Sequence, residues 1–407
     1  MSSVEDKLPE GWIETTLGEA VDRMYSGGTP STKRDEYYGG GIPWIRTQEV
    51  VFNFIYTTDI RITELGLKKS SAKYIPIDTV IVAMYGNSAG RVALSKIKAT
   101  TNQACCNIIT NSEVTNPYFI FYNLMGRYKE IEGKANGAAQ QNLSVGVLKQ
   151  LEINLPPIQE QKAIANVLTA FDDKIENLRS QNQTLEQTAQ TIFKEWFGKY
   201  QIDDELPEGW RVGKIVELFE VRDGTHDSPK QCEQGKLLIT SKHITKERIK
   251  FEEAYLISDE DFISINKRSV VEQFDILFSM IGTLGLTYLE QNSEIDYAIK
   301  NLALFKTSQN RDWSIYTYLW LTSKNGKHYV IKNKGGSTQQ FMSLSSLRNI
   351  EFVMPREKRL LEFNNICKPI FKKLQINNEQ IQSLTKTRDT LLPKLMRGEL
   401  RVNGFKK

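Results

Sequence analysis

The residues that could do chemistry are few, and their spacing is wrong for it. An amino-methyltransferase holds its target amine in an Asn/Asp-Pro-Pro-aromatic loop. The nearest string, Asn154-Leu155-Pro156-Pro157-Ile158, has an inserted leucine and no aromatic residue. It reads as a rigid connector from a strand into a helix. A phosphate-binding loop needs Gly-x4-Gly-Lys-Ser/Thr, whereas Gly126 and Gly133-Lys134-Ala135 have six residues between them and no hydroxyl follows the lysine. Glu132-Gly133-Lys134 has its nearest upstream aspartate at Asp78, too distant for a metal-dependent nuclease motif. His226, Asp227 and Ser228 are neighbours in a loop containing glycine and proline, and three adjacent residues do not build a catalytic triad. The cysteines Cys105, Cys106, Cys232 and Cys367 form no Cys-x-x-Cys pair and have no ligand spacing with His226, His243 or His328. No zinc site is expected, and the thiols are expected to be free and buried. No catalytic residue and no metal ligand is assigned, which leaves binding as the business of the chain.

The 407 residues provide for two to four domains with sizeable cores. With 40% hydrophobic and 25% charged residues the balance is that of a globular protein. No apolar run approaches the ~18–20 residues of a membrane span, and Met1-Ser2-Ser3-Val4-Glu5-Asp6-Lys7 lacks a basic-then-apolar leader, so a cytoplasmic location is expected. A net charge of +4 permits a nucleic-acid partner without singling one out.

Stepping outward, the strongest signal is an internal repeat. Leu8-Pro9-Glu10-Gly11-Trp12 recurs as Leu206-Pro207-Glu208-Gly209-Trp210. Colinear echoes follow: Gly28-Thr29 with Gly224-Thr225, Val80 to Gly86 with Ile276 to Gly282, Gln140-Gln141-Asn142-Leu143 with Gln339-Gln340-Phe341-Met342, and Leu155-Pro156 with Met354-Pro355. Each copy ends in a heptad-spaced helix. The first seam runs Phe171, Ile175, Leu178, Leu185, Ala189, Ile192, Trp196, interrupted at Asn182; the second runs Ile370, Leu374, Ile381, Leu384, Leu391, Leu395, interrupted at Asn377 and Arg388. Polar seam residues weaken helix pairing but fix its register. Gly198 and Gly398 are the expected stops, with Pro393 kinking the second helix or marking its last turn. Ahead of each helix, short apolar runs at Ile42–Ile45, Val80–Met84 and Ala104–Ile109 alternate with turn signals such as Gly39-Gly40-Gly41 and Asn136-Gly137. A helix is expected from Pro117 to Ile131, capped by Asn116, with its counterpart over Asp312 to Leu321.

These features together resemble the specificity (S) subunit of type I restriction–modification systems. The resemblance rests on the doubled Leu-Pro-x-Gly-Trp, on Gln140-Gln141-Asn142-Leu143 ahead of Leu155-Pro156-Pro157-Ile158-Gln159-Glu160-Gln161 and a long helix, and on the closing Leu391-Leu392-Pro393-Lys394-Leu395-Met396-Arg397-Gly398-Glu399-Leu400. The second copy departs from the pattern, with Met354-Pro355-Arg356-Glu357 in place of Leu-Pro-Pro and no Glu-Gln after it. The resemblance implies an α+β protein: two similar mixed α/β target-recognition domains in pseudo-two-fold arrangement, joined by two long antiparallel coiled-coil helices. The corresponding boundaries are 1–155 for the first recognition domain, 156–200 for the first helical region, 201–354 for the second recognition domain and 355–407 for the second helical region. It implies a subunit that is not an enzyme and binds no cofactor. Its implied partners are double-stranded DNA, two modification subunits that methylate adenine with S-adenosylmethionine, and restriction subunits that use ATP and magnesium. Pro156, Pro157, Gln159, Glu160 and Gln161 would lie where modification subunits dock. The alternative is a stand-alone DNA-binding regulator without enzymatic partners.

A helix of about 27 residues is roughly 40 Å long, about one turn of B-DNA. Two unequal heads on such a spacer predict a split, asymmetric target. Residues able to reach base edges or phosphates fall in loops of both copies. In the first they are Thr29, Ser31, Lys33, Arg34, Arg46, Thr47, Gln48, Tyr85, Asn87, Ser88, Arg91 and Gln140. In the second they are Thr225, His226, Lys230, Ser241, Lys242, His243, Thr283, Lys334, Ser337 and Gln339. The paired glutamines are equally suited to bracing a loop beside the helix junction. Trp12 and Trp210, used alike in both copies, point to packing.

Overall fold

The computed structural model describes residues 8–136, 143–245, 248–336, 340–402 and 404. The chain forms two compact units. The first comprises Met1–Glu176 with Gln382–Lys407, and the second Asn177–Ile381.

In the first unit a five-stranded sheet has the order Val21–Ser26, Cys105–Thr110, Val80–Ala83, Val92–Ser95, Asn53–Ile55, antiparallel except for its last pair. Val80–Ala83 is apolar at every position, and the strands on either side of it are largely so, because both faces are covered. Val80, Val82, Val92 and Leu94 pack with Phe119, Ile120 and Phe121 of the helix Pro117–Gly126. Ile81, Ala83 and Ala93 face the opposite way, onto Ile45, Val50, Ile55, Ile75 and Ala99. That second layer includes the sheet ordered Arg61–Ile62, Tyr38–Ile45, Ala99–Thr101, Tyr74–Ile75. The second unit repeats the plan. Val221–Asp223, Leu302–Phe305, Ile276–Ser279 and Thr287–Leu289 form the doubly covered sheet. Ile276 and Phe278 face the helix Ser314–Thr322, and Leu277 faces the other way, toward Ile239 and Ile299. A smaller sheet has the order Tyr255–Ile257, Lys236–Thr240, Tyr297–Lys300.

Each repeat closes on itself with a two-stranded ribbon. Ile13–Thr16 pairs with Glu152–Leu155, and Arg211–Lys214 with Glu351–Met354. The repeated pentapeptide is a tight turn leading into the ribbon: Trp12 N–H donates to Pro9 O and Trp210 N–H to Pro207 O, each at 3.0 Å. Gly11 and Gly209 sit at φ +82° and +76°, where glycine is unstrained.

Three local expectations change. Gly39-Gly40-Gly41 is not a turn but the bulged part of the strand Tyr38–Ile45, where the register against Ile62 shifts. A Cβ at Gly40 would lie 2.5 Å from Ile62 O, so the close strand contact selects glycine. The helix expected to run to Ile131 ends at Gly126 and restarts as Tyr128–Asn136. Asn116 caps it as expected, accepting from Tyr118 and Phe119 N–H. Cys105, Cys106 and Cys367 are buried, whereas Cys232 is half-buried with its thiol directed to Gln234 O.

The first long helix spans Ile158–Trp196, 39 residues, starting three turns before its heptad signal. Those extra turns bury Ile164 and Leu168 in the core of the first unit. Its last turns bury Ala189 and Phe193 in the core of the second, joined by Phe197 just after the helix. The second long helix is Glu357–Met396, with Pro393 in its last turn. Gly398, at φ +70°, follows where a Cβ would lie 2.3 Å from Pro9 Cγ. Within the second unit the two helices run antiparallel, Asn182 meeting Asn377 and Asn378 while Phe193 meets Phe363. Asn182 accepts from Asn377 at 2.8 Å and donates to Asn378 at 2.7 Å, which ties the polar interruptions together in this register, while Asn377 Oδ1 is buried without a partner. Within the first unit the seam arginine Arg388 pairs with Asp172, which also accepts from the Tyr122 hydroxyl at 2.6 Å. Among the described residues no helix is long and apolar enough to cross a membrane.

At the root of the first helix Glu160 is fully buried, accepting from Trp12 Nε1 at 3.1 Å and from Arg401 at 2.6 and 2.9 Å. Removing one partner of such a pair strands the other. Glu160→Ala is expected to destabilise the first unit by on the order of 3 kcal/mol, measured by urea unfolding followed through tryptophan fluorescence. A loss below about 1 kcal/mol, the worth of an exposed pair, would show that the network does not hold the ribbon to the helix.

Candidate nucleic-acid interface

The loops after Val21–Ser26 and Val80–Ala83, and their counterparts in the second unit, carry many of the polar residues singled out above, and the frame beneath them is the same in both units. The strand Val21–Ser26 ends where Gly27 N–H donates to Cys105 O and Gly28 N–H to Thr101 O. In the second unit Gly224 N–H donates to Leu302 O and Thr225 N–H to Ile299 O. A Cβ at Gly27 would lie 2.3 Å from Thr101 O, and one at Gly224 2.4 Å from Ile299 O. The equivalences are therefore Gly27 with Gly224, Gly28 with Thr225 and Thr29 with His226. The repeated Gly-Thr dipeptide is out of step by one residue. It matches in letters but not in place, because Gly28 is required separately by the approach of Ala72 N, 2.1 Å from where its Cβ would be.

This alignment puts Thr29 and His226 at one position, and each bonds a turn residue that sequence reasoning passed over. Thr29 donates to Gln103, and His226 Nδ1 lies 2.8 Å from Asn301 Oδ1. Both partners sit in the turn before the next sheet strand, where Gln103 and Asn301 share the offset of 198 that also relates Leu8 to Leu206. That offset was the available signal.

In the first unit Thr29, Ser31 and Lys33 line one shallow cleft with Ser71 and Gln103. Arg34 is exposed and pairs with Glu36 at 3.4 Å. Arg46 is half-buried between Glu49 and Asp59, at 4.0 and 3.8 Å, and its charge is largely compensated. Thr47 and Gln48 form the 3-10 turn Thr47–Glu49 beside it. Tyr85, Asn87 and Ser88 form the tip after Val80–Ala83, with Gly86 at φ +67°; Tyr85 is 42% exposed and free to stack. Arg91 is half-buried and bonds the Tyr128 hydroxyl. Gln140 lies outside the described residues; Leu143 N–H donates to Met84 O at 2.9 Å.

In the second unit His226 is braced on both nitrogens, with Nε2 2.8 Å from Asp223 Oδ2. Asp223 also takes Arg268 on its other oxygen. Two oxygen acceptors on one imidazole are both satisfied only by the doubly protonated ring. The bonds to Asn301 and then Asp223 raise the His226 pKa. Burial opposes ionisation of Asp223, but the bonds from His226 and Arg268 prevail and lower its pKa. Glu220, Arg222, Lys267, Arg268 and Arg348 line a cleft beside them. Lys230 and Lys242 are exposed, Thr225 and Ser241 half-buried. Thr283 is exposed in the turn after Ile276–Ser279, the counterpart of the Tyr85–Ser88 tip. Lys334 donates to Gln340 at 3.3 Å. Ser337 and Gln339 lie outside the described residues; Met342 N–H donates to Met280 O, as Leu143 does to Met84. His243 is a correction: it is buried, and its Nδ1 accepts from Thr240 N–H at 3.0 Å, closing a turn. Burial lowers its pKa, so it is a neutral structural ring.

The stretch expected to dock partners divides. Glu160 and Gln161 are fully buried and committed internally; Gln161 accepts from Asn116 N–H and donates to Val114 O and Pro156 O. Pro156 is buried as well, which leaves Pro157 and Gln159 exposed. Among the described residues no group of His, Cys, Asp and Glu could hold a metal ion.

One frame used twice, tipped with loops of different polar residues, defines a two-headed recognition protein. Residues 9–187 match the type I restriction modification DNA specificity domain. The chain is 30% identical, over 97% of its length and 95% of the relative's, to the type I restriction enzyme MjaIX specificity subunit of Methanocaldococcus jannaschii. It is 22% identical to the MjaVIII specificity subunit of the same archaeon, over 98% and 95% of the two chains. The fold is that of the type I restriction–modification S subunit from M. genitalium, with TM-score 0.58 at 19% identity over 97% of this chain and 98% of that one. The chain belongs to the specificity subunits of type I restriction–modification enzymes, and it supplies DNA sequence specificity to such a complex.

The clasp around His226 sets a pH window. A raised histidine pKa means its contribution is complete below the ordinary histidine value and is lost as pH rises through the raised one. The lowered Asp223 pKa means its contribution is lost only as pH falls well below the usual carboxylate range. An NMR titration should place the His226 ring above an ordinary histidine, and Asn301→Ala and Asp223→Asn should each bring it down. A wild-type ring titrating at or below pH 6.5 would defeat the clasp.

Proposed function

We propose that each unit reads one half of a bipartite, asymmetric site in double-stranded DNA, that the two long helices fix the unread gap, and that the chain itself catalyses nothing. The observation that carries this reading is the equivalence of Thr29–Gln103 and His226–Asn301: a repeated frame presents different hydrogen-bonding groups at the same place. Different donors and acceptors on one frame prefer different base edges. Loops around Thr29–Arg34, Tyr85–Arg91 and Gln140 serve one half-site, and those around Thr225–Lys230, Thr283 and Lys334–Gln340 the other. Two modification subunits bind the assembly, with Pro157 and Gln159 at the exposed part of one docking face. They bring S-adenosylmethionine, and restriction subunits, where present, bring ATP and magnesium.

Replacing residues 13–150 with the corresponding segment of a specificity subunit that reads different DNA, then mapping methylated adenines in cells, tests this. The expected result is one altered half-site, with the other half and the gap unchanged. Alteration of both half-sites would overturn the assignment of one unit to one half. Deleting seven residues from each long helix, one heptad, should shorten the gap or abolish methylation. An unaltered gap with full methylation would remove the helices from the role of spacer.

A further inference from the structure

We propose that the helix Lys324–Asn333 of the second unit is a phosphate-backbone clamp, giving this half of the protein a sequence-independent hold on DNA that the equivalent helix of the first half lacks. The inference rests on the reading of the units as DNA-recognition heads. Lys324, Lys327, His328 and Lys332 are spaced by three, four and eight residues from the first, which puts them on one face. All four are exposed. None of the three lysines has a carboxylate within ion-pair distance among the described residues; the acidic neighbour on the same surface is Glu351, which lines a cleft with His328 and Lys332. The helix has no acidic residue at all.

That composition runs against helix stability. A cation at a helix N-terminus opposes the macrodipole, yet Lys324 is the first helical residue and the first turn holds no acid. The equivalent helix of the first unit, Tyr128–Asn136, follows the stabilising rule, with Glu130 in its first turn and Lys134 in its last. There Glu130 takes both Arg127 and Lys134, so the charge is spent internally. Only the second unit keeps its positive face unneutralised.

The C-terminal end of the helix lies beside the loops read above as DNA-facing. The helix runs directly into Lys334 and Gly335, and Gly335 exchanges both backbone bonds with Phe341 at 2.9 and 3.0 Å. Phe341 bridges Ile281, next to the exposed Gly282-Thr283 tip. A duplex engaged by that tip would present its backbone to the lysine face. Each neutralised phosphate steepens the dependence of log affinity on log salt by about 0.9.

The test uses the full chain assembled with its modification subunits. In the triple variant Lys324→Gln, Lys327→Gln, Lys332→Gln the salt slope of DNA binding should fall by roughly 2.7. Affinity should drop by a similar factor on duplexes with and without the target, and the methylated sequence should stay the same. The matching Lys→Arg triple variant should keep the wild-type slope. Lys129→Gln with Lys134→Gln in the first unit should change the slope by less than about 1. Specific binding by the wild type with an unchanged slope in the glutamine variant overturns the clamp alone. Loss of the modification subunits from that variant, in place of a slope change, also overturns it by making the helix a protein-docking face. A wild-type complex with no sequence preference overturns the recognition reading and the clamp with it.

Discussion

Everything in each unit is referenced to a four-residue antiparallel ribbon. Ile13–Thr16 with Glu152–Leu155, and Arg211–Lys214 with Glu351–Met354, bring the two ends of each repeat together immediately before a long helix departs. One further backbone bond extends each ribbon: Leu17 N–H to Leu151 O and Ile215 N–H to Ile350 O. In the first unit the proline pair that follows leaves no freedom in the direction of the helix. Gln161, one turn in, then ties that helix to Asn116, the cap of the helix that covers the central sheet. The helix phase, the sheet cover and the repeat closure are thus one hydrogen-bonded system, not three independent contacts.

The two units solve the same junction with different chemistry. In the first, a buried carboxylate, Glu160, gathers the Trp12 indole and the Arg401 guanidinium. In the second the corresponding residue is Arg359, whose guanidinium stacks 3.6 Å over Trp196. Trp210 there packs on Phe197 and Tyr200 with ring centroids 5.8 and 4.9 Å apart. One junction depends on desolvated charge, which is costly to break by single substitution. The other depends on aromatic area, which tolerates conservative exchange. The departure of Met354-Pro355-Arg356-Glu357 from the first copy is the trace of this change in the sequence.

The repeat, the long helices, the Asn116 cap and the apolar strands were legible because each follows from local rules of periodicity and turn chemistry. The polar interruptions of the seam were legible too, since Asn182, Asn377 and Arg388 break an apolar pattern visibly. What escaped was set by contacts across the fold. The first three turns of the first helix carry apolar residues in the same phase as the seam, but they face a domain core and not a partner helix, so the heptad signal alone started too late. The true pairing of Thr29 with His226 was hidden because the recurring Gly-Thr dipeptide arises from two different steric demands, one at Gly27 and Gly224, the other at Gly28 alone. His243 looked like a loop residue until its ring was seen closing the turn at Thr240.

A frame built in this way separates stability from recognition. The paired Gly27 and Gly224, the ribbon and the doubly covered sheet fix where each loop begins and ends, so side chains at the tips can change without moving the backbone beneath them. Residues such as Arg46 and Arg91, however, are bonded to Glu49 and Tyr128 within their own unit and are less free to vary than Lys33, Lys230 or Thr283. Divergence should therefore concentrate on exposed, uncompensated positions. The contrast between the acid-balanced helix Tyr128–Asn136 and the acid-free helix Lys324–Asn333 is of that kind: the same element of the repeat with its charges altered. A protein that must present two different surfaces to one continuous duplex can do so by repeating its core and changing only what faces outward.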